Sequence, residues 1–170
     1  MTTYKHLYIV RHGKSTTDYK DVPDYDRPLK ERGINDSYKI AENMVIKKKI
    51  PKLIISSPAI RAFHTAMIFA RIFNYKFEKI QIHKELYMSS VSENQDLLKN
   101  IDSAIDSVMI VGHNPSFTDL ANHFLADKLE EIPTSGLVCL KFEAESWNKI
   151  DSLKPVDYYF DFPKHKKHSD

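Results

Sequence analysis

The sequence predicts an α/β fold, a three-layer α/β/α sandwich with a mainly parallel central sheet. Three observations carry this. Short apolar runs, Leu7 to Val10, Leu53 to Ile55 and Val108 to Val111, contain no turn former and read as strands buried on both faces. Longer stretches with helical spacing of apolar residues lie between them, and strands alternating with helices are the pattern of βαβ units. Two of the runs also end alike, one in Arg11-His12-Gly13 and the other in Gly112-His113-Asn114. In a parallel sheet such strand ends open on the crevice where α/β proteins hold ligands.

Size and composition set the frame. At 170 residues the chain fits one domain, taken as residues 1–163. Residues 164–170, including Lys164-His165-Lys166-Lys167-His168, are expected to be a disordered, solvated basic tail. A net charge of +2 with His neutral implies no general attraction to nucleic acid or membrane, so neither is expected as a partner. The single cysteine, Cys139, sits in the run Leu137-Val138-Cys139-Leu140, cannot form an intrachain disulfide, and reads as a buried strand thiol. The first apolar run is too short to span a bilayer and carries the Arg-His pair, so a cytoplasmic location is expected.

In chain order, Thr16 to Asp26, with Pro23 inside it, reads as a loop able to cover the first strand end. Lys30 to Lys49 places Ile34, Tyr38, Ile40, Ala41, Met44 and Val45 near helical period, and its Lys run suits a helix carboxyl terminus. After the second strand, Ser57 reads as an N-cap and Pro58 as the first helical residue. That helix runs to about Asn74 and carries Arg61 near its electropositive start. Phe77 to Ile82 reads as a third strand, Glu85 to Ser90 as a loop and Ser92 to Asp102 as a helix. Phe117 to Leu125 reads as a helix, Ile132 to Gly136 as a turn, and Leu137 to Phe142 and Asp157 to Phe162 as further extended segments.

The polar groups at these strand ends and helix starts are of one kind. Arg11 and His12, Arg61, and His113 would make a cationic, donor-rich pocket along one sheet edge. Phosphate is the ligand that asks for this, because guanidinium groups match its oxygens in paired hydrogen bonds and stay charged at any working pH. A neutral imidazole can attack phosphorus and split the displacement into two steps. On residue types alone, His12 and His113 are equal candidates for that nucleophile. Lys14, Ser15 and Asn114 are neighbouring candidates for phosphate contact, Asn114 and Ser116 being cap candidates as well. Arg27 either lines the pocket or ties its loop by pairing with Asp24 or Asp26. Gly13-Lys14-Ser15 looks like the tail of a Walker phosphate loop, but the glycine that motif needs five residues earlier is Tyr8.

These pieces together resemble the histidine phosphatase superfamily, whose mark is Arg-His-Gly at the end of the first strand, and within it the small phosphohistidine phosphatases of the SixA type. The matching segments are Leu7 to Ser15, Asp26-Arg27-Pro28-Leu29 with Gly33, Ser56-Ser57-Pro58 to Arg61-Ala62 with Thr65-Ala66, and Val111 to Pro115, with Ser135-Gly136 also consistent. The resemblance implies a phosphoglycerate mutase-like fold and a hydrolase needing no cofactor. It implies His12 as the phosphorylated nucleophile, Arg11 and Arg61 as ligands of the phosphoryl oxygens, and His113 as stabiliser of the transferred charge. The implied substrate is phosphohistidine in a protein or a small phosphorylated metabolite. Larger members such as the phosphoglycerate mutases place an acidic proton donor after the third strand. Here Glu85 is the nearest acid, Asp18 is a second candidate, and a phosphohistidine leaving group can do without either.

Two other functions stay open on the sequence: a phosphomutase of the same family and a non-catalytic phosphate-binding module. A metal held by His12 and His113 is not expected, since two arginines beside it would repel a cation. His64, His83 and His123 stand alone and read as ordinary core or surface residues.

Overall fold

The computed structural model describes residues 1–165. A six-stranded sheet runs in the order β3-β2-β4-β1-β5-β6. Its strands are β1 (Tyr4–Arg11), β2 (Leu53–Ser56), β3 (Gln81–Ile82), β4 (Ser107–Gly112), β5 (Leu137–Glu143) and β6 (Asp157–Asp161). β1, β4, β2 and β3 pair in parallel, while β5 is antiparallel to both β1 and β6. Helices cover both faces: α1 (Glu31–Ile46) and α2 (Ile60–Ile72) one, α3 (Val91–Lys99) and α4 (Ser116–Phe124) the other.

Alternation along the central strands builds two cores. Leu7 and Ile9 of β1, with Val108 and Ile110 of β4, pack against Leu98, Phe117, Leu120 and Trp147. Tyr8 and Val10, with Met109 and Val111, pack against Ile40, Met44, Ala66 and Phe69. An apolar strand covered on both sides has no solvent face, which is why these runs are unbroken in the sequence.

Several boundaries differ from the sequence reading. Phe77 to Ile82 is only partly a strand: Phe77–Lys79 forms a 3-10 turn and β3 keeps two residues. α3 begins earlier than expected, at Val91, because Ser90 and Glu93 close a reciprocal capping box. α2 begins at Ile60 with Ala59 at the N-cap, so Pro58 lies outside the helix and Ser57 is not its cap residue. Val45 is largely exposed on α1. Within the expected tail, Lys164 and His165 are described, and His165 is not simply solvated: its Nε2 lies 3.1 Å from Asp36 Oδ2 on α1. The rest of that tail, residues 166–170, lies outside the described residues.

The turn after β1 is fixed by close packing. A Cβ on Gly13 would come within 2.8 Å of the Gly33 carbonyl oxygen at the start of α1, so only glycine lets the two segments meet. The Gly13 N–H also donates to Thr65 Oγ1 on α2 at 2.9 Å. The strand end carrying Arg11 and His12 is thereby bound to both helices of one layer.

Candidate active site

A cavity of about 320 Å³ opens at the carboxyl ends of β1 and β4, lined by Arg11, His12, Lys14, Arg61 and His113 among others. Three distant parts of the chain meet there for separate local reasons. β1 and β4 are neighbours in parallel register, with Arg11 opposite Gly112, so the residues that follow each strand emerge side by side. β2 pairs with the other edge of β4, and its exit leads through Ser57 into α2, whose second residue is Arg61.

His12 is 8% exposed. Its Nδ1 lies 2.7 Å from the Gly13 carbonyl oxygen. A carbonyl can only accept, so Nδ1 carries the proton and Nε2 keeps its lone pair. Burial pushes the His12 pKa down to about 3 against the opposing pull of the Gly13 carbonyl, and the nearby His113, Arg61 and Arg11 push the same way as burial. The ring is neutral at pH 7. Its main chain is held between the segments flanking β1 in the sheet: the His12 N–H donates to the Gly112 carbonyl at the end of β4, and the His12 carbonyl accepts from Ser135 N just before β5. Ser135 adopts φ 60°, a strained value for a residue with a side chain, and its hydroxyl is tied to Ser37 Oγ at 2.9 Å.

His113 packs with its ring centroid 5.2 Å from that of His12. Its Nε2 is paired with Ser57 Oγ at 2.7 Å. Ser57, read from the sequence as a helix cap, therefore orients a site imidazole, and it also accepts from Ala59 N at 3.3 Å. Burial first, then the Arg61 charge, lowers the His113 pKa to about 4.

The arginines are clamped from outside the cavity. Arg11 Nη1 donates to Glu131 Oε1 at 2.9 Å and to the Ile132 carbonyl at 2.8 Å. Arg61 donates from Nη1 to the Asp24 carbonyl at 2.6 Å and from Nη2 to Asp24 Oδ2 at 3.1 Å. Three buried nitrogens on these residues have no partner among the described residues: Arg11 Nε, Arg61 Nε and His113 Nδ1. Buried polar atoms are rarely left so. Both guanidinium groups line the cavity, so a tetrahedral oxyanion there would meet their fixed positive charge.

The other expected contacts divide. Lys14 lines the cavity and is exposed. Ser15 lines it too, but its hydroxyl accepts from Arg27 Nη1 at 2.7 Å. Asn114 lines it with both ends of its amide engaged, Nδ2 to the Ile132 carbonyl and Oδ1 to the N–H and hydroxyl of Thr118. Asn114 thus ties the start of α4 to the 132 loop while lining the cavity. Arg27 does both things the sequence allowed: it lines the cavity and pairs with Asp24 Oδ1 at 3.0 Å.

Glu85 is not brought to the site. Leu86 buries its side chain in the core, and the 3-10 turn Lys84–Leu86 turns Glu85 outward into a different cavity, 3.9 Å from His83 Nδ1. Asp18 is exposed and does not line the site either. The acid at the cavity edge is Asp24, which the sequence reading named only as a partner for Arg27. It binds Arg61, Arg27 and, through Oδ2, the Tyr87 hydroxyl at 2.7 Å. The Tyr87 bond first, with the arginines, holds its carboxyl at about 2. Thr17 and Tyr87 lie in the loops Thr16 to Asp26 and Tyr87 to Ser92 that the sequence allows as pocket walls, but which of their side chains reach the site, and that Thr134 does, is not readable because loop residues carry no periodicity that would aim them.

Residues 7–93 match the sequence model of the histidine phosphatase superfamily (branch 1), slightly more than half of the chain. The chain belongs to this superfamily, and phosphatase chemistry through a histidine is the activity that the family and the site define together. It is 26% identical over 157 residues to an uncharacterized chloroplastic protein of Arabidopsis thaliana, covering 88% of this chain and 72% of that one. A crystal structure from Agrobacterium tumefaciens, described as a phosphohistidine phosphatase SixA, superposes with a TM-score of 0.75 at 27% identity, covering 91% of this chain and 97% of that one. A protein histidine phosphatase SixA complexed with tungstate shares the fold, with a TM-score of 0.74, 20% identity and coverage of 92% and 94%. Among the described residues no helix is long and apolar enough to cross a membrane.

Proposed function

We propose that the chain is a phosphatase acting through phospho-His12 without a metal, on phosphohistidine in a protein or on a small phosphorylated metabolite of the cytoplasm. Residues 1–163 would serve as its single catalytic unit. The observation that carries the reading is one arrangement: a neutral imidazole with its lone pair at Nε2, lining one cavity together with the guanidinium groups of two arginines.

In the first step His12 Nε2 attacks phosphorus. The P–Nε2 bond forms as the bond to the leaving atom breaks, its electron pair goes to that atom, and a solvent proton neutralises it. Arg11 and Arg61 bind the equatorial oxygens, and His113 packs against the same phosphoryl group. Water then attacks phosphorus, the P–Nε2 electrons return to the ring, and the surplus proton passes to solvent with inorganic phosphate. Among the described residues no carboxyl group lines the cavity, Glu85 faces another cavity and Asp24 is held as an anion. A nitrogen leaving group, which takes its proton before departure, suits this site better.

The test is to react the protein with a labelled phosphoramidate and assay the trapped intermediate. Acid-labile, base-stable label that disappears in His12→Ala supports the reading, and label that persists in that variant overturns it. Release of free phosphate in water distinguishes hydrolysis from a mutase, and turnover of any donor removes a purely binding role.

A further inference from the structure

The layer made by α3 and α4 covers the sheet less completely than the opposite one. Its helices have nine residues each, against sixteen in α1 and thirteen in α2. The shortfall lies at the sheet edge formed by β2 and β3, where a cavity of about 500 Å³ remains. Its floor is aliphatic: Leu53 and Ile55 of β2 are buried, while Leu97, Ile101 and Ile105 are only partly buried. Apolar surface facing such a space favours an apolar occupant, and ligand cavities commonly measure about 300–1,000 Å³.

The rim carries charge of one sign. Glu85, Glu93, Asp96 and Asp102 line the cavity, and no Lys or Arg among the described residues does. Two of these acids have local roles: Glu93 Oε2 accepts from Ser90 N at 2.8 Å in the capping box, and Asp102 Oδ1 accepts from Ala104 N at 2.9 Å. The other two have no close cation. Glu85 stands 3.9 Å from His83 Nδ1, beyond hydrogen-bond reach. Asp96 stands 4.0 Å from Lys99 Nζ, an ammonium that sits 2.8 Å from Asp151 Oδ2 instead. An anion would be repelled by this rim and a neutral body would gain nothing from it. A cation with an apolar body complements floor and rim together.

We propose that this cavity is a binding site for a small organic cation, an ammonium group carried on an apolar body. The body lies on the aliphatic floor, and the charged head is held at the rim by Glu85 and Asp96. A lysine-bearing protein segment fits less well, because β3 has only two residues and offers an extended chain almost no edge to pair with. The site shares no lining residue with the cavity that holds His12, and it stands whether or not the phosphatase reading does.

The probe is n-octylammonium chloride, titrated into the full chain by calorimetry, with n-octanol and octanoate as the neutral and anionic counterparts of the same body. Methyl resonances of Ile55, Leu97 and Ile101 report where each binds. Octylammonium is expected to saturate with a Kd of about 1 mM or below, octanol to bind about fivefold more weakly and octanoate at least about tenfold more weakly. In Glu85→Gln/Asp96→Asn, which alters two exposed side chains and no packed one, octylammonium is expected to weaken about tenfold while octanol stays within about twofold. Absence of shifts at the three methyls, equal affinity for octanoate, or an octylammonium Kd unchanged within about twofold in the double variant each overturns the proposal. A peptide alternating leucine and lysine is the last arm: if it binds at these methyls about tenfold more tightly than octylammonium, the small-molecule assignment falls.

Discussion

Two of the cavities in this molecule have opposite chemistry. The larger, about 500 Å³, sits against edge strand β3, with Leu53, Ile55 and Leu97 among its apolar lining and Glu85, Glu93 and Asp96 among its acids. The smaller, about 320 Å³, holds Arg11, His12, Arg61 and His113. By its apolar lining the first would be the default ligand site, although cavities of about 620 and 640 Å³ elsewhere are larger. The smaller combines fixed cations with a buried neutral imidazole of defined tautomer, the combination that the proposed phosphoryl transfer needs. Volume measures what helix packing leaves uncovered. Chemistry is placed where the parallel strands end, because only there do separate segments of the chain converge with free polar ends.

The sharpest way to break this contrast is to alter one residue in each cavity. His12→Asn removes the proposed nucleophile and is expected to lower kcat by about 10⁴-fold or more, whereas Glu85→Gln in the acidic cavity is expected to leave kcat within about twofold. Steady-state rates on phosphohistidine check both, and a large loss in Glu85→Gln would return the acid role to that residue. Next in size is Arg61→Lys. It keeps a charge but loses the planar fork clamped by Asp24, and kcat/KM is expected to drop about 10²-fold.

The two site histidines also make a pH-dependent contribution to stability. His12 and His113 both titrate below the ordinary 6.5, at about 3 and about 4. Below pH 6.5 the unfolded chain therefore binds more protons than the native one at these two positions. Their contribution to stability is complete above about pH 6.5 and is lost as pH falls toward 4 and then 3. While both are proton-free in the native state and charged in the unfolded one, the loss approaches about 1.4 kcal/mol per pH unit for each. Denaturant melts between pH 7 and 4.5 should show this slope, and His113→Asn should remove about half of it. The smallest expected effect is structural. Gly33→Ala puts a Cβ 2.6 Å from Lys14 N, and a loss of about 1–3 kcal/mol is expected by thermal unfolding.

Much of the architecture was legible in one dimension. Unbroken apolar runs meant strands covered on both faces, and helical spacing between them meant crossovers, so the α/β sandwich and its mainly parallel sheet follow from pattern alone. Arg11, His12, Arg61 and His113 were legible because each sits at a strand end or helix start, where a charged group has no business in a core. The two-residue β3 was read too long because Phe77 to Ile82 is apolar enough for a strand while its first half coils into a 3-10 turn.

What only tertiary structure decided is how side chains on irregular backbone are aimed. Glu85 and Tyr87 lie two residues apart, yet burial of Leu86 sends one to the acidic cavity and leaves the other against His113. Asp24 rather than Asp18 meets Arg61, and Ser57 holds an imidazole instead of capping a helix. The sequence by itself determined the layers and the cations at the strand ends, because periodicity encodes which face is buried. A loop has no period, so its contacts are set by whichever partners the finished fold brings within reach.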